Sequence, residues 1–102
     1  MENIITIIQG DTYECEISIE GVLVEIIDRI YFSSNQLNVC KELEKRDGKF
    51  VLKFTPEETM NFETGNLSYD FTIYFTNNAI QTAQYRNRIS ILPKINKVQC
   101  NV

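Results

Sequence analysis

The sequence predicts an all-β sandwich of seven to eight short strands with one helical turn near residues 56–61. Three observations carry that expectation: strict apolar–polar alternation, turn signals at regular spacing, and a length of 102 residues. A chain of this size builds one hydrophobic core. Neither a linker nor an internal repeat interrupts it, so residues 1–102 read as one domain with a short tail over 93–102.

The alternation is plainest in Tyr13-Glu14-Cys15-Glu16-Ile17-Ser18-Ile19-Glu20, where Tyr, Cys, Ile and Ile oppose Glu, Glu, Ser and Glu. A strand with one face in the core and one in water has this pattern. It recurs from Leu67 to Thr76, the longest candidate, with Leu67, Tyr69, Phe71, Ile73 and Phe75 expected at the centre of the core. From Lys49 to Thr55 the inward residues are Phe50, Leu52 and Phe54. Asp47-Gly48 ahead of them signals a two-residue type I′ hairpin turn, whose central positions both need φ > 0. That turn sets Leu43 opposite Leu52 and Glu42 opposite Lys53, which favours a strand over 36–45, although Leu37, Cys40 and Leu43 also fit a helix.

The other strands are less regular. Ile4 to Gln9 is a β-branched run without alternation, as expected of a strand covered on both sides, and Gly10-Asp11 turns the chain after it. Ile26 to Ser33 supplies Ile30 and Phe32 to the core. Ala79 to Gln84 follows a turn at Asn77-Asn78, and Tyr85 to Leu92 contributes Ile89 and Ile91 before Pro93. Thr55-Pro56-Glu57-Glu58 has the form of a helix start: Thr55 as N-cap, proline at the first helical position, and Glu58 three residues after the cap.

Composition excludes several chemistries. The chain has no histidine, which removes the usual general base near neutral pH and the commonest metal ligand. Cys15, Cys40 and Cys100 are odd in number and widely spaced, matching neither a disulfide framework nor a zinc site. Cys15 reads as a small core residue and Cys100 as an exposed thiol. The aspartates Asp11, Asp28, Asp47 and Asp70 form no calcium-type cluster. Glu14 and Glu16 share a strand face, an arrangement more usual for a solvated surface than for paired-carboxylate catalysis. No phosphate-cradling glycine run exists. No cofactor, metal or catalytic residue is therefore expected.

A net charge of −4 gives no clustered cation surface for nucleic acid. No window is apolar enough for a membrane-spanning helix, and the N-terminus lacks a signal-type run, so a cytoplasmic product is expected. The charge is unevenly spread. Residues 1–28 hold seven acids and no base, and residues 79–102 hold four bases and no acid. Either the first and last strands lie together and neutralise one another, or the acidic edge of one molecule meets the basic edge of a neighbour. Tyr31 and Tyr74 oppose the core positions Phe32 and Ile73. With Arg86 and Arg88 they form the candidate interface, since tyrosine is favoured at interface hot spots.

The order of motifs resembles a known group. Ile8-Gln9-Gly10-Asp11-Thr12 is similar to the Q-G-D-T/S element that opens immunoglobulin-like modules in tail and baseplate proteins of phages infecting Gram-positive bacteria. The N-terminal part of upper baseplate proteins is one such module. The alternating strand follows, then Asp28 to Phe32, Gly48-Lys49-Phe50, the turn Thr55 to Thr59, and a G-x-x-x-Y-D strand from Gly65 to Phe71. The similarity spans residues 8 to 92 and implies an immunoglobulin-like antiparallel sandwich. It further implies a non-enzymatic virion structural or accessory protein (tail, baseplate, head–tail or decoration) that contacts other virion proteins or copies of itself. Such a protein resides in the host cytoplasm before assembly and in the virion afterwards. The chain ends ~10 residues after the sandwich without a coiled-coil or receptor-binding extension, so a complete small virion protein is expected. The alternative is a small soluble phage-encoded inhibitor or regulatory protein that binds a host protein.

Overall fold

In the computed structural model, which describes residues 3–19, 21–83 and 87–95, the alternating segments pair into three sheets that stack as a β-sandwich. The strands are β1 (Asn3–Ile8), β2 (Tyr13–Ile17), β3 (Ile27–Ser34), β4 (Val39–Glu42) and β5 (Glu44–Arg46). They continue as β6 (Lys49–Phe54), β7 (Gly65–Ser68), β8 (Asp70–Phe75), β9 (Ile80–Ala83) and β10 (Asn87–Leu92). The sheets run β1-β10-β7, β2-β6-β5 and β4-β3-β8-β9. All pairings are antiparallel except β1 with β10.

Only Leu43 separates β4 from β5, and only Tyr69 separates β7 from β8, so the ten strands trace eight passes of chain. Both interruptions are places where a strand leaves one sheet and joins another. The segment expected as a single strand over Leu67 to Thr76 is bent at Tyr69: β7 bonds to β10, and β8 bonds to β3 and β9. Its alternation survives the bend, and Tyr69, Phe71 and Ile73 are all buried.

The Asp47-Gly48 turn forms as its residues require, with φ of 52° and 75° and Arg46 opposite Lys49. The hairpin register holds through Glu44 opposite Val51. Leu43 then departs, its amide donating to the Ile30 carbonyl at 2.9 Å, so the expected pairing of Glu42 with Lys53 is replaced by Glu42 opposite Tyr31. Within 36–45 the chain is strand from Val39 onward and not helix.

β1 departs from expectation. Ile5 and Ile7 are buried, whereas Ile4 and Ile8 are 60% and 42% exposed. One face is covered, not two. Cys15 is half-buried with the rest of the inward row of β2, because β2 is an edge strand and its sheet leaves that side of the core open.

The core centres on aromatic rings. Phe32 of β3 lies 5.3 Å from Phe54 of β6, edge to face, and 5.3 Å from Tyr69, stacked. Phe54 extends the cluster to Phe62 at 5.1 Å. Such pairs add about 0.5–1.5 kcal/mol each beyond the area they bury.

After β6, Pro56–Met60 forms α1, capped as its sequence specifies: Glu58 N donates to Thr55 Oγ1 and Thr55 N to Glu58 Oε1. Glu58 also takes two bonds from Lys41 Nζ, at 2.6 and 2.9 Å. Partial burial works to raise the Glu58 carboxyl, but the Lys41 ammonium and the Thr55 donors outweigh it and hold it below its ordinary value. Behind the helix, the fully buried Thr59 hydroxyl accepts from Gly10 N at 3.0 Å and donates to Asp11 O at 2.8 Å. Gln9 Nε2 donates to Phe62 O at 2.8 Å beside it. The Gln9-Gly10-Asp11 turn and the Thr55-to-Thr59 turn are thus one joint.

Two outcomes are expected. Thr59→Val keeps the shape but strands the Gly10 amide and Asp11 carbonyl, costing about 1–3 kcal/mol in urea unfolding, while Thr59→Ser restores most of it. The Glu58 contribution is complete above its unfolded value of 4.5 and disappears as pH falls through the lower folded value. Glu58→Gln should therefore flatten the acid limb of the stability profile, below about pH 5, and change little in its slope above that.

Candidate protein-contact surface

The burial of Ile30 and Phe32 turns Arg29, Tyr31 and Ser33 to the opposite face of β3, and register extends that face across four strands. One row reads Arg29, Tyr74, Ile80; the next Glu42, Tyr31, Thr72, Thr82; the third Cys40, Ser33, Asp70. This outer face of β4-β3-β8-β9 is not covered by another layer among the described residues.

Its middle is organised by Arg29. The guanidinium carbon lies 4.9 Å from the Tyr74 ring centroid and 5.9 Å from that of Tyr31. Nη1 donates to the Tyr31 hydroxyl at 3.4 Å, and Nε donates to Asp28 Oδ2 at 3.2 Å. The rings meet edge to face, centroids 5.6 Å apart and planes at 78°. Side chains that constrain one another in this way lose less entropy when a partner covers them. Beside them lies a shallow hollow of about 230 Å³ lined by Arg29, Tyr31, Ser33, Cys40, Thr72 and Tyr74. Ile80, at the edge of the first row, is 62% exposed. Tyrosine and arginine are the side chains enriched at protein-contact hot spots, and here two tyrosines and an arginine are packed together.

Of the four residues singled out from sequence, the fold brings Tyr31 and Tyr74 together. Arg88 lies elsewhere, exposed on β10 between Ile4 and Ser68 on the outside of a different sheet. Arg86 lies outside the described residues. Arg29 was not among the four, yet strand alternation alone places it two residues before Tyr31 on the same face.

Among the described residues the charge asymmetry is not met by ion pairs between the first and last strands, although the two are neighbours, as β1 and β10. The early acids pair elsewhere: Glu14 with Arg46, Glu16 with Lys49 at 3.7 Å, and Asp28 with Arg29. The first two pairs cross the outer face of β2-β6-β5, so Glu14 and Glu16 each face a cation. Arg46 also hydrogen-bonds Glu44, holding that carboxyl below its ordinary value.

A second concavity, about 790 Å³, opens between β2 and the opposite layer, lined by Ile4, Tyr13, Cys15, Ile17, Tyr69 and Phe71 among others. Burial, then the Cys15 thiol, raises the Tyr13 hydroxyl; burial likewise pushes Tyr69 up to about 12. Both phenols stay protonated and act as neutral wall groups. Among the described residues no group of three or more acidic or thiol side chains converges as a metal site, and no helix is long and apolar enough to cross a membrane.

No family model matches the chain, and no curated protein does. Among solved structures, the fold is similar to part of a candidate glycoside hydrolase from Bacteroides vulgatus, at 12% identity and a TM-score of 0.43. That alignment covers 88% of this chain and 16% of the other protein. At that level the likeness carries no argument about activity.

The contact between the two rings is itself measurable. A double-mutant cycle on Tyr31→Ala and Tyr74→Ala should give a coupling of about 0.5–1.5 kcal/mol in unfolding free energy. A coupling indistinguishable from zero would show that the face is not organised as described.

Proposed function

We propose that this chain is a non-enzymatic contact module that uses the outer face of β4-β3-β8-β9 to bind another protein, in the role of a virion structural or accessory component. The observation that carries the contact reading is the Arg29–Tyr31–Tyr74 cluster with Ile80 on an uncovered sheet face. The virion role rests on the motif resemblance of residues 8 to 92.

Contacts of this kind need the rings to be desolvated by a partner while the fold stays unchanged. Truncating Tyr74 removes the ring over which Arg29 stacks and leaves the guanidinium unconstrained. In a well-packed interface such a loss costs about 2 kcal/mol or more of binding, roughly a thirtyfold weakening.

The test is incorporation. Particles are purified from cells producing the chain as wild type, Arg29→Ala and Tyr74→Ala, and their protein content is quantified by mass spectrometry. The wild type should be present at fixed stoichiometry in particles, and both variants depleted at least tenfold while retaining a wild-type circular dichroism spectrum. A chain found only in the soluble fraction, in complex with one host protein, would replace this reading with that of a phage-encoded inhibitor.

A further inference from the structure

β1 lacks the devices that ordinarily protect a sheet edge. Among the described residues it pairs with β10 alone, and within its residues there is no charge, no proline and no break in register. The Gln9 amide donates to Leu92 O at 2.9 Å. By alternation, the odd-numbered residues of β1 direct their N–H and C=O groups at β10, and Ile4, Thr6 and Ile8 direct theirs away from it. The Ile8 carbonyl accepts from Asp11 N at 3.0 Å and keeps a second lone pair. The side chains on the outer face are apolar as well: Ile4 is 60% exposed, Ile8 42% and its neighbour Leu92 44%.

The sequence of this edge is a palindrome. Ile4-Ile5-Thr6-Ile7-Ile8 reads the same from either end. We propose that β1 is a homotypic contact, in which a second copy of the chain pairs antiparallel with it about a two-fold axis at Thr6.

The register follows from the palindrome. Ile4 lies opposite the partner's Ile8 on the outer face, Ile5 opposite the partner's Ile7 on the core face, and Thr6 opposite its own counterpart. The backbone groups that this register bonds are those of Ile4, Thr6 and Ile8, the three that point outward, giving about six new main-chain hydrogen bonds. A slip of one residue would place the buried face of one copy beside the exposed face of the other. A slip of two would set Thr6 against isoleucine. The centred register avoids both faults, and the absence of charge on β1 means that nothing repels across the axis. The product is one continuous sheet, β7-β10-β1 running on into the same strands of the second copy in reverse order, and Ile4, Ile8 and Leu92 of both copies form one apolar strip. This contact lies on a different sheet from the Tyr31–Tyr74 face, so either surface can be lost without the other.

Thr6 meets its own counterpart, which allows a charge-swap test. The full chain is compared by sedimentation equilibrium as wild type, Thr6→Lys and Thr6→Glu, with thermal melts confirming the fold of the exposed-site variants. The wild type should sediment as a dimer, each variant alone as a monomer, and an equimolar mixture of the two as a dimer again. A wild type that is monomeric at every concentration overturns the proposal, as does dimerisation of either variant alone to the wild-type extent, or failure of the mixture to recover. Should the charged variants not fold, Thr6→Cys retains the strand. Its paired Cα atoms, at about 5.5 Å, lie within disulfide reach. Mild oxidation should then link that variant into a covalent dimer while the wild type stays unlinked, and equal linking of the two would overturn the proposal.

Discussion

The fold depends on the Phe32 ring. It is fully buried and touches Phe54 across the sandwich, Tyr69 at the bend between two sheets, and Phe71 on the neighbouring strand at 6.0 Å. Two sheets and the bend that leads into the third therefore meet around one side chain. Its burial also fixes the surface. Because side chains alternate along a strand, locking Phe32 inward compels Tyr31 and Ser33 outward, and pairing with β8 then sets Thr72 and Tyr74 beside them. A one-residue slip of β3 would bury Tyr31 and expose Phe32. The candidate surface and the core are two sides of the same register, and the outer face inherits its order from the aromatic packing beneath it.

A second constraint ties chain segments that are distant in sequence. The Thr59 hydroxyl serves both the Gly10 amide and the Asp11 carbonyl, so the turn after β1 is held by the helix after β6. Gly10 has φ of +86°, and a Cβ there would come within 2.8 Å of Met60 Cε. The left-handed backbone favours glycine at that point, whereas the Met60 methyl is the end of a flexible, half-exposed side chain that can swing aside. The Gln9-Gly10-Asp11 turn and the Thr55-to-Thr59 turn are the two halves of this joint. Both halves serve the architecture, through hydrogen bonds made within the fold.

Much of this was legible in the residues because the determining forces are local. The Asp47-Gly48 turn, the Thr55–Glu58 capping box and the alternation of β2, β6 and β8 each follow from backbone preference or from burial of one face. The bends at Leu43 and Tyr69 were not legible. Alternation records which face a residue occupies, not which strand it bonds to, and both bends change the partner while preserving the face. β1 misled for another reason: isoleucine satisfies β-propensity on either face, so a run of them does not reveal that Ile4 and Ile8 are exposed. The charge pattern gave the adjacency of the first and last strands but not the ion pairs, since the acids of β2 meet cations brought by β5 and β6 through long-range pairing. On the candidate surface, Tyr31 and Tyr74 were visible as outward aromatics. Their meeting required the pairing of β3 with β8, and Arg29 becomes significant only once both rings are beside it.

The central claim is that the Tyr31–Tyr74 face is the surface covered when the protein meets its partner in an assembled particle. Hydroxyl-radical footprinting measures this directly, because the exposed edges of both rings oxidise in the free chain. Oxidation of Tyr31 and Tyr74 should fall severalfold when intact particles are probed instead of the isolated chain, while buried Phe32 remains unreactive in both. Equal oxidation of the two tyrosines in the free and assembled protein would contradict the account.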